Sequence, residues 1–285
     1  MSTKIEWTEY TWNTQVGCTK VSAGCKNCYG ERFARRLSAI ALKKQEGNEE
    51  YVKDGIGVYP FVVNDKGWSG DIEVIESRIN QFDNVHKPKM IFVNSMGDTF
   101  HEKSTFEYQR NLFIKMMSMK IHTFQLLTKR YDKMKDFLDI MAEDYFDNMG
   151  VSLNPEDYKN IWFGVSVCDN SGIDGIHTLR TIPTMVRFIS FEPLLERIDD
   201  IYSLSDMEDI YDPINWVILG AETGPGRRET KVEWMEEIVD ACVDSNIPVF
   251  VKSVEIGGKV IKDPEKFPRQ LKYRCYLTVR KTSSL

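Results

Sequence analysis

The chain has 285 residues, 42% hydrophobic and 28% charged, which is enough for one large domain or two modest ones with a sizeable core. Its net charge of −6 excludes a general nucleic-acid coat protein, so any nucleic-acid contact has to be local. No apolar run approaches the roughly 18 residues of a membrane span, the opening MSTKIEWTEY lacks the pattern of a secretory leader, and six cysteines in this length do not make a disulfide scaffold. A cytoplasmic protein without membrane contact is expected.

A short strand is predicted around residues 11–17. It leads into Cys18-Thr-Lys-Val-Ser-Ala-Gly-Cys25-Lys-Asn-Cys28, a C-x6-C-x2-C run holding three of the six cysteines. Three thiolates on one loop are a soft, anionic ligand set of the kind that selects zinc or an iron–sulfur cluster. Structural zinc sites want four protein ligands, and no second C-x-x-C or paired histidines follow. Three thiolates without an obvious fourth ligand fit better a [4Fe–4S] cluster with one open iron, although a distant single residue can still complete a zinc site. The stretch YGERFARRLSAIALKK after Cys28 predicts a helix. Its N-terminal N–H groups suit an anion.

Residues 45–75 are rich in glycine, with strands expected at 58–64 and 71–75 around the turn Asn64-Asp65-Lys66-Gly67, and read as a hairpin insertion. From residue 88 onward one unit repeats: a short apolar run, a polar end, then a helical pattern. The runs are 90–95, 123–128, 161–167, 186–191, 215–220 and 248–252, and helices are expected at 104–119, 129–147, 174–181 and 231–245. Nearly continuous apolar runs suit strands covered on both faces, as in a parallel sheet. The repetition predicts an open or closed α/β barrel or a doubly wound sheet. Residues 200–212 read as an acidic connector.

In α/β folds ligands gather at the C-terminal strand ends. Those ends carry Gly97 and Asp98, Lys129 and Arg130, Ser166 and Cys168, Glu192, Glu222, and Lys252. A rim bearing Asp98, Lys129, Glu192, Glu222 and Lys252 makes a polar small-molecule site. Cys168, Glu192, Glu222 and Lys252 are the catalytic candidates. His101 is a weaker acid–base candidate, and free Cys168 reads more readily as a small buried hydrophobe than as a reacting group. Arg227 and Arg228 read as a solvated turn, and Trp7 and Trp12 as packing residues.

The stretches IEWTEYTWNTQVGCTKVSAGCKNCY, VNSMGDTFHE, QLLTKR, GVSV, RFISFEPLL and LGAETGPG resemble, in order and over about residues 5–255, the phage- and prophage-encoded three-cysteine-motif family, a radical-SAM-like group. The resemblance implies one radical-SAM-like α/β domain over 1–285: a partial (β/α) barrel with a hairpin insertion at 45–75 and a C-terminal extension at 256–285. It implies that Cys18, Cys25 and Cys28 hold a [4Fe–4S] cluster whose open iron binds S-adenosylmethionine. Gly97 and Asp98 would meet the methionine amine, Lys129 its carboxylate, and Ser166 the ribose. It further implies an electron donor, a partner protein encoded nearby, and a nucleic-acid base or nucleotide as substrate, with Lys26, Arg32, Arg35, Arg36, Lys129 and Arg130 as a local basic patch. The family's commonest wider-superfamily spacing is C-x3-C-x2-C with an apolar residue before the third cysteine; here the first gap is six and Asn27 holds that place. The alternative function is a zinc- or cluster-stabilised binding or nucleic-acid-processing protein without radical chemistry.

Overall fold

A computed structural model describes residues 3–45, 53–199, 201 and 213–277 of the protein. Strand β1 (Tyr10–Trp12) opens the main sheet, and β2 (Gln15–Val16) leads to the cysteine loop and helix α1 (Tyr29–Gln45). Helix α2 (Tyr59–Val62) follows, then the short strands β3 (Val63–Asn64), β4 (Gly67–Trp68) and β5 (Glu73–Val74). The repeating units are β6 (Met90–Val93), α3 (Phe106–Ser118), β7 (Thr123–Thr128), α4 (Tyr131–Met149), β8 (Ile161–Ser166), α5 (Asp174–Thr181), β9 (Arg187–Phe191), β10 (Trp216–Gly220), α6 (Val232–Asp244), β11 (Val249–Ile256) and β12 (Lys259–Ile261).

Eight strands form one sheet in the order β1-β6-β7-β8-β9-β10-β11-β12. The first seven are parallel and β12 is antiparallel at the edge. The order never reverses, which rules out the doubly wound alternative. The sheet is mostly parallel and does not close into a barrel, its two edges being β1 and β12.

Alternation along the strands gives the sheet two different faces. Ile91, Val93, Phe124, Leu126, Phe163, Ile189, Val217 and Val249 pack outward against Phe113 of α3, Met134 and Phe137 of α4, Leu179 of α5 and Met235 and Ile238 of α6. The other face carries Phe92, Trp162, Phe188, Trp216, Ile218 and Phe250, joined by Trp7 from the N-terminal segment. Trp216 meets Trp7, Trp162, Phe188 and Phe250 at ring-centroid distances of 5.9–6.4 Å. Trp12 belongs to the helix-covered core, its indole N–H donating to Arg78 O at 2.7 Å. Both tryptophans are therefore packing residues.

Three local expectations change. Residues 58–62 are helical, not extended: Pro60 occupies the first turn of α2, where its missing N–H costs nothing, and Val58, Tyr59 and Val62 pack against Ala34 of α1. The turn at 64–67 does form a hairpin, between β3 and β4, but β5 pairs with β2 instead. Residues 259–261, assigned to a C-terminal extension, are an edge strand of the main sheet. The acidic connector, Ile201 apart, and residues 278–285 lie outside the described residues. Among the described residues no helix is long and apolar enough to cross a membrane.

Truncating Trp216, which is fully buried, removes the centre of the inner aromatic layer. Trp216→Ala is expected to cost about 3–5 kcal/mol, read as a lowered urea midpoint; a change below about 1 kcal/mol would show that the inner layer contributes little.

Candidate active site: a cysteine-lined cavity at the strand ends

Parallel strands bring their C-terminal ends to one edge of the sheet, and a cavity of about 510 Å³ opens there. Its wall includes Cys18, Cys25 and Cys28, the strand-end residues Gly97, Asp98, Lys129, Ser166, Glu192 and Glu222, Lys252 from within β11, which runs four residues past its expected end, and residues 3–7 of the N-terminal segment. The predicted rim therefore converges, with Cys168 as the exception. That thiol is 3% exposed and packs behind the cysteine loop: a Cβ on Gly24 would lie 2.2 Å from Cys168 Sγ. Cys168 faces the underside of the loop rather than the cavity, and the absence of a side chain at Gly24 is what admits it.

The first cysteine is positioned by a crossing of two strand ends. Asn94 adopts φ +54°, a conformation asparagine tolerates, and its Oδ1 accepts from Thr14 N and Gln15 N, each at 3.0 Å. Gly17 bridges Gly97, and a Cβ on Gly97 would sit 3.0 Å from Gly17 O, so the two chains approach more closely than a side chain allows. Gly97 thus serves backbone packing in addition to lining the cavity.

Asp98 is held by neighbours. Its carboxylate accepts from Thr128 Oγ1 at 2.8 Å to both oxygens, from Phe100 N at 3.0 Å and from Arg130 Nη1 at 3.0 Å. Arg130, buried, also donates to Glu102 Oε2 at 2.9 Å, to Thr19 O at 3.2 Å and to Cys18 Sγ at 3.6 Å. Burial opposes the Glu102 carboxylate, but its own backbone N–H, Thr19 and Arg130 hold it down to about 2. His101 is engaged structurally: Nδ1 accepts from Lys103 N at 3.1 Å and Nε2 lies 3.2 Å from Thr19 Oγ1. Burial, then Arg130, lower its pKa, so the ring is neutral near pH 7.

The thiols differ in their surroundings. Burial, with the Asp98 carboxylate, pushes Cys18 up to about 12 against the pull of Arg130. Burial also acts to raise Cys25, but Lys129, the Ser22 hydroxyl and the backbone at Val21 and Ser22 outweigh it and bring that thiol below its usual value. Lys129 loses by burial and gains more from Cys168, Cys25, Cys28 and Asp98, which keep its ammonium charged. Among the described residues no group of three or more His, Cys, Asp or Glu side chains converges on a single-ion site.

The far side of the loop is stitched to the loop after β10, a feature that the sequence did not signal. Glu222 is buried, and its Oε2 accepts from Asn27 Nδ2 at 2.9 Å, Arg228 N at 2.7 Å and Arg228 Nε at 3.0 Å. Arg228 Nη1 reaches Ala23 O at 2.9 Å, and Arg32 Nη2 reaches Thr223 O at 3.1 Å across the Cα of Gly224, where a Cβ would collide with Arg32. Arg228 is therefore a stitch and not a solvated turn residue, and Asn27 is turned to the same task. Glu192 and Lys252 form an ion pair on the cavity wall at 2.5 Å, and Ser166 Oγ donates to Glu192 O at 3.3 Å. Nearby, Lys262 pairs with Glu6 at 3.0 Å, bringing together residues 256 positions apart, a separation at which no local pattern could announce the contact.

Sheet topology and site define an α/β protein with a three-thiol loop over a cavity at its strand ends. The chain belongs to the family described as Protein of unknown function (DUF5131), whose family model matches residues 2–275. No curated protein and no solved structure matches it.

Glu222→Gln keeps the shape of the stitch but leaves Arg228 without its counter-charge, at an expected cost of about 1–3 kcal/mol. Although burial opposes it, hydrogen bonding from Arg228 and Asn27 lowers the folded pKa of Glu222. Its contribution is then complete above the unfolded carboxyl value of about 4.3 and is lost as the pH falls through the folded value. The stability gap between wild type and Glu222→Gln, measured by urea unfolding of metal-free protein, is expected to be flat above about pH 5 and to shrink in stronger acid. A gap that widens toward low pH would contradict the assignment.

Proposed function

We propose that the protein is a radical-SAM-like iron–sulfur enzyme, its sheet a partial barrel of that type, and its cavity the reaction chamber. The observation that carries this reading is the placement of Cys18, Cys25 and Cys28: three half-buried thiols on one loop, all facing a cavity at the ends of parallel strands, with Arg130 and Lys129 beside them. The residues suit a [4Fe–4S] cluster. Three soft thiolates on one loop are the donor set that such a cluster takes. Cationic side chains next to the sulfurs offset the negative charge that thiolate ligation brings. The cavity is also within the range that encloses a cofactor-sized molecule.

A cluster held by Cys18, Cys25 and Cys28 would supply one-electron reduction chemistry toward S-adenosylmethionine. An external electron donor is implied. The chain's own residues bind and orient. Lys129 offers an ammonium to a carboxylate, Ser166 a hydroxyl at the strand end, and the Glu192–Lys252 pair a matched donor and acceptor on the wall. Phe92, Leu127 and Trp7 line the same cavity and exclude water from its inner side.

A second reading, in which the metal only stabilises a binding or nucleic-acid-processing protein, is favoured by one observation. The Asp98 carboxylate is taken up by Arg130, Thr128 and Phe100, which leaves little capacity for a ligand amine.

Anaerobic purification separates the readings. A brown protein with acid-labile sulfide and roughly four irons per chain, which yields 5′-deoxyadenosine when reduced with S-adenosylmethionine, is the expected result. A colourless protein with one zinc would overturn the proposal, and a cluster without 5′-deoxyadenosine would favour the second reading. Cys18→Ala, Cys25→Ala and Cys28→Ala are each expected to lose the iron; retention in all three would disprove the ligand assignment.

A further inference from the structure

Helix α1 begins at the cavity mouth and carries a charge pattern unlike that of the chain. It holds Arg32, Arg35, Arg36, Lys43 and Lys44 against one carboxylate, Glu31, in a protein of net charge −6. Glu31 is buried and paired with Lys20 at 2.9 Å. Gly30, Ala34, Ser38 and Ala41 form the buried face. On the exposed side, Tyr29 and Phe33, four residues apart, make one stripe, with Arg35 and Arg36 exposed beside it and Arg32 half-buried at its edge, where it also donates to Thr223 O.

The aromatic stripe faces water. Tyr29 and Phe33 are each 48% exposed, as is Val21 on the cysteine loop, and all three border the cavity. Tyr29 donates its hydroxyl to Ser95 O at 2.8 Å, which holds the ring at the end of β6. Core packing does not account for adjacent aromatic rings left in solvent beside arginines at a cavity mouth. An exposed ring presents its face to another planar ring, and a guanidinium presents a fork to a phosphate. Lys129 and Arg130, grouped with this patch by sequence, lie beneath the cysteine loop and take no part in it.

We propose that this face of α1 docks single-stranded nucleic acid, with bases stacked on Tyr29 and Phe33 and phosphates along Arg32, Arg35 and Arg36, so that one nucleotide is presented to the cavity. Charge complementarity selects a polyanion, and exposed rings select unpaired bases, since a duplex hides its base faces. The 17-residue helix is about 25 Å long, longer than one nucleotide, which favours a strand over a free nucleotide. The proposal rests on the reading of the cavity as a reaction chamber for its purpose, but its binding step does not require the cluster.

The test is fluorescence anisotropy of a labelled oligothymidine of about 12 nucleotides with the full chain purified anaerobically, at salt from about 50 to 200 mM. Binding that weakens with salt is expected. Phe33→Ala should weaken it about tenfold, and Arg36→Gln should reduce the salt slope by about 0.7. Both side chains are exposed, so unchanged melting curves are expected for both variants. Absence of binding at the lowest salt, equal binding of a duplex of the same length, equal competition by thymidine monophosphate, or wild-type affinity in Phe33→Ala would each overturn the proposal. Iron content and 5′-deoxyadenosine yield measured on the same preparations keep the two claims apart. A clustered, active protein that ignores the oligonucleotide removes the docking surface alone, and a colourless protein that binds it removes only the radical chemistry.

Discussion

A parallel sheet whose strands pair in chain order delivers every C-terminal strand end to the same edge, and the rest of the site depends on that constraint. The loops after β6, β7, β9 and β10 supply Asp98, Lys129, Glu192 and Glu222, the end of β8 supplies Ser166 and β11 itself supplies Lys252 to one cavity, because the first seven strands of the sheet all run the same way. The same topology places α3, α4, α5 and α6 on one face, which leaves the other face to bury itself. It does so with large rings: Trp7, Phe92, Trp162, Phe188, Trp216 and Phe250 fill the inner layer. Gly164 has no side chain to compete with Phe188, whose ring occupies the space a Cβ would take. Packing below and polarity above are thus two consequences of one arrangement.

The cysteine loop has little regular structure of its own and is held from both sides by charge. On one side Arg130 joins Cys18 and Thr19 to Asp98 and Glu102; on the other, Glu222 and Arg228 fasten Asn27 and Ala23. Buried charges are costly unless each is paired and its remaining hydrogen-bonding capacity used. Here every charge in the two clamps has at least one opposite partner, so the loop gains rigidity without an uncompensated ion. Elsewhere, buried Arg187 donates to the carbonyls of Leu179 and Ile182 at the end of α5.

Most of the sheet was legible because both faces of its strands are covered, which turns each strand into a nearly continuous apolar run. Residues 123–128 match β7 at both ends, and helices such as α5 match their periodicity. The segment 58–62 misled because β-branched and aromatic residues favour a strand locally, whereas contact with α1 and the position of Pro60 favour a helix. The three cysteines were legible by spacing alone. The clamps were not, since Asn27 and Glu222 are 195 residues apart and nothing local distinguishes a stitching arginine from a solvated one. Cys168 is the small buried hydrophobe that its residue type favours, and what buries it is not local: a strand-end position fixes which edge a residue occupies, while Gly24, far away in sequence, decides what its side chain meets.

Arg130 links two roles that the sequence listed separately. Any cation that approaches Asp98 competes with a guanidinium already 3.0 Å away, and that guanidinium also donates to Cys18. If the contact with Asp98 is lost, Glu102 and Thr19 still retain Arg130 beside the thiol. The positive charge next to Cys18 then persists while its partner changes. Arg130 thus ties the carboxylates of Asp98 and Glu102 to the first cysteine of the loop through one guanidinium.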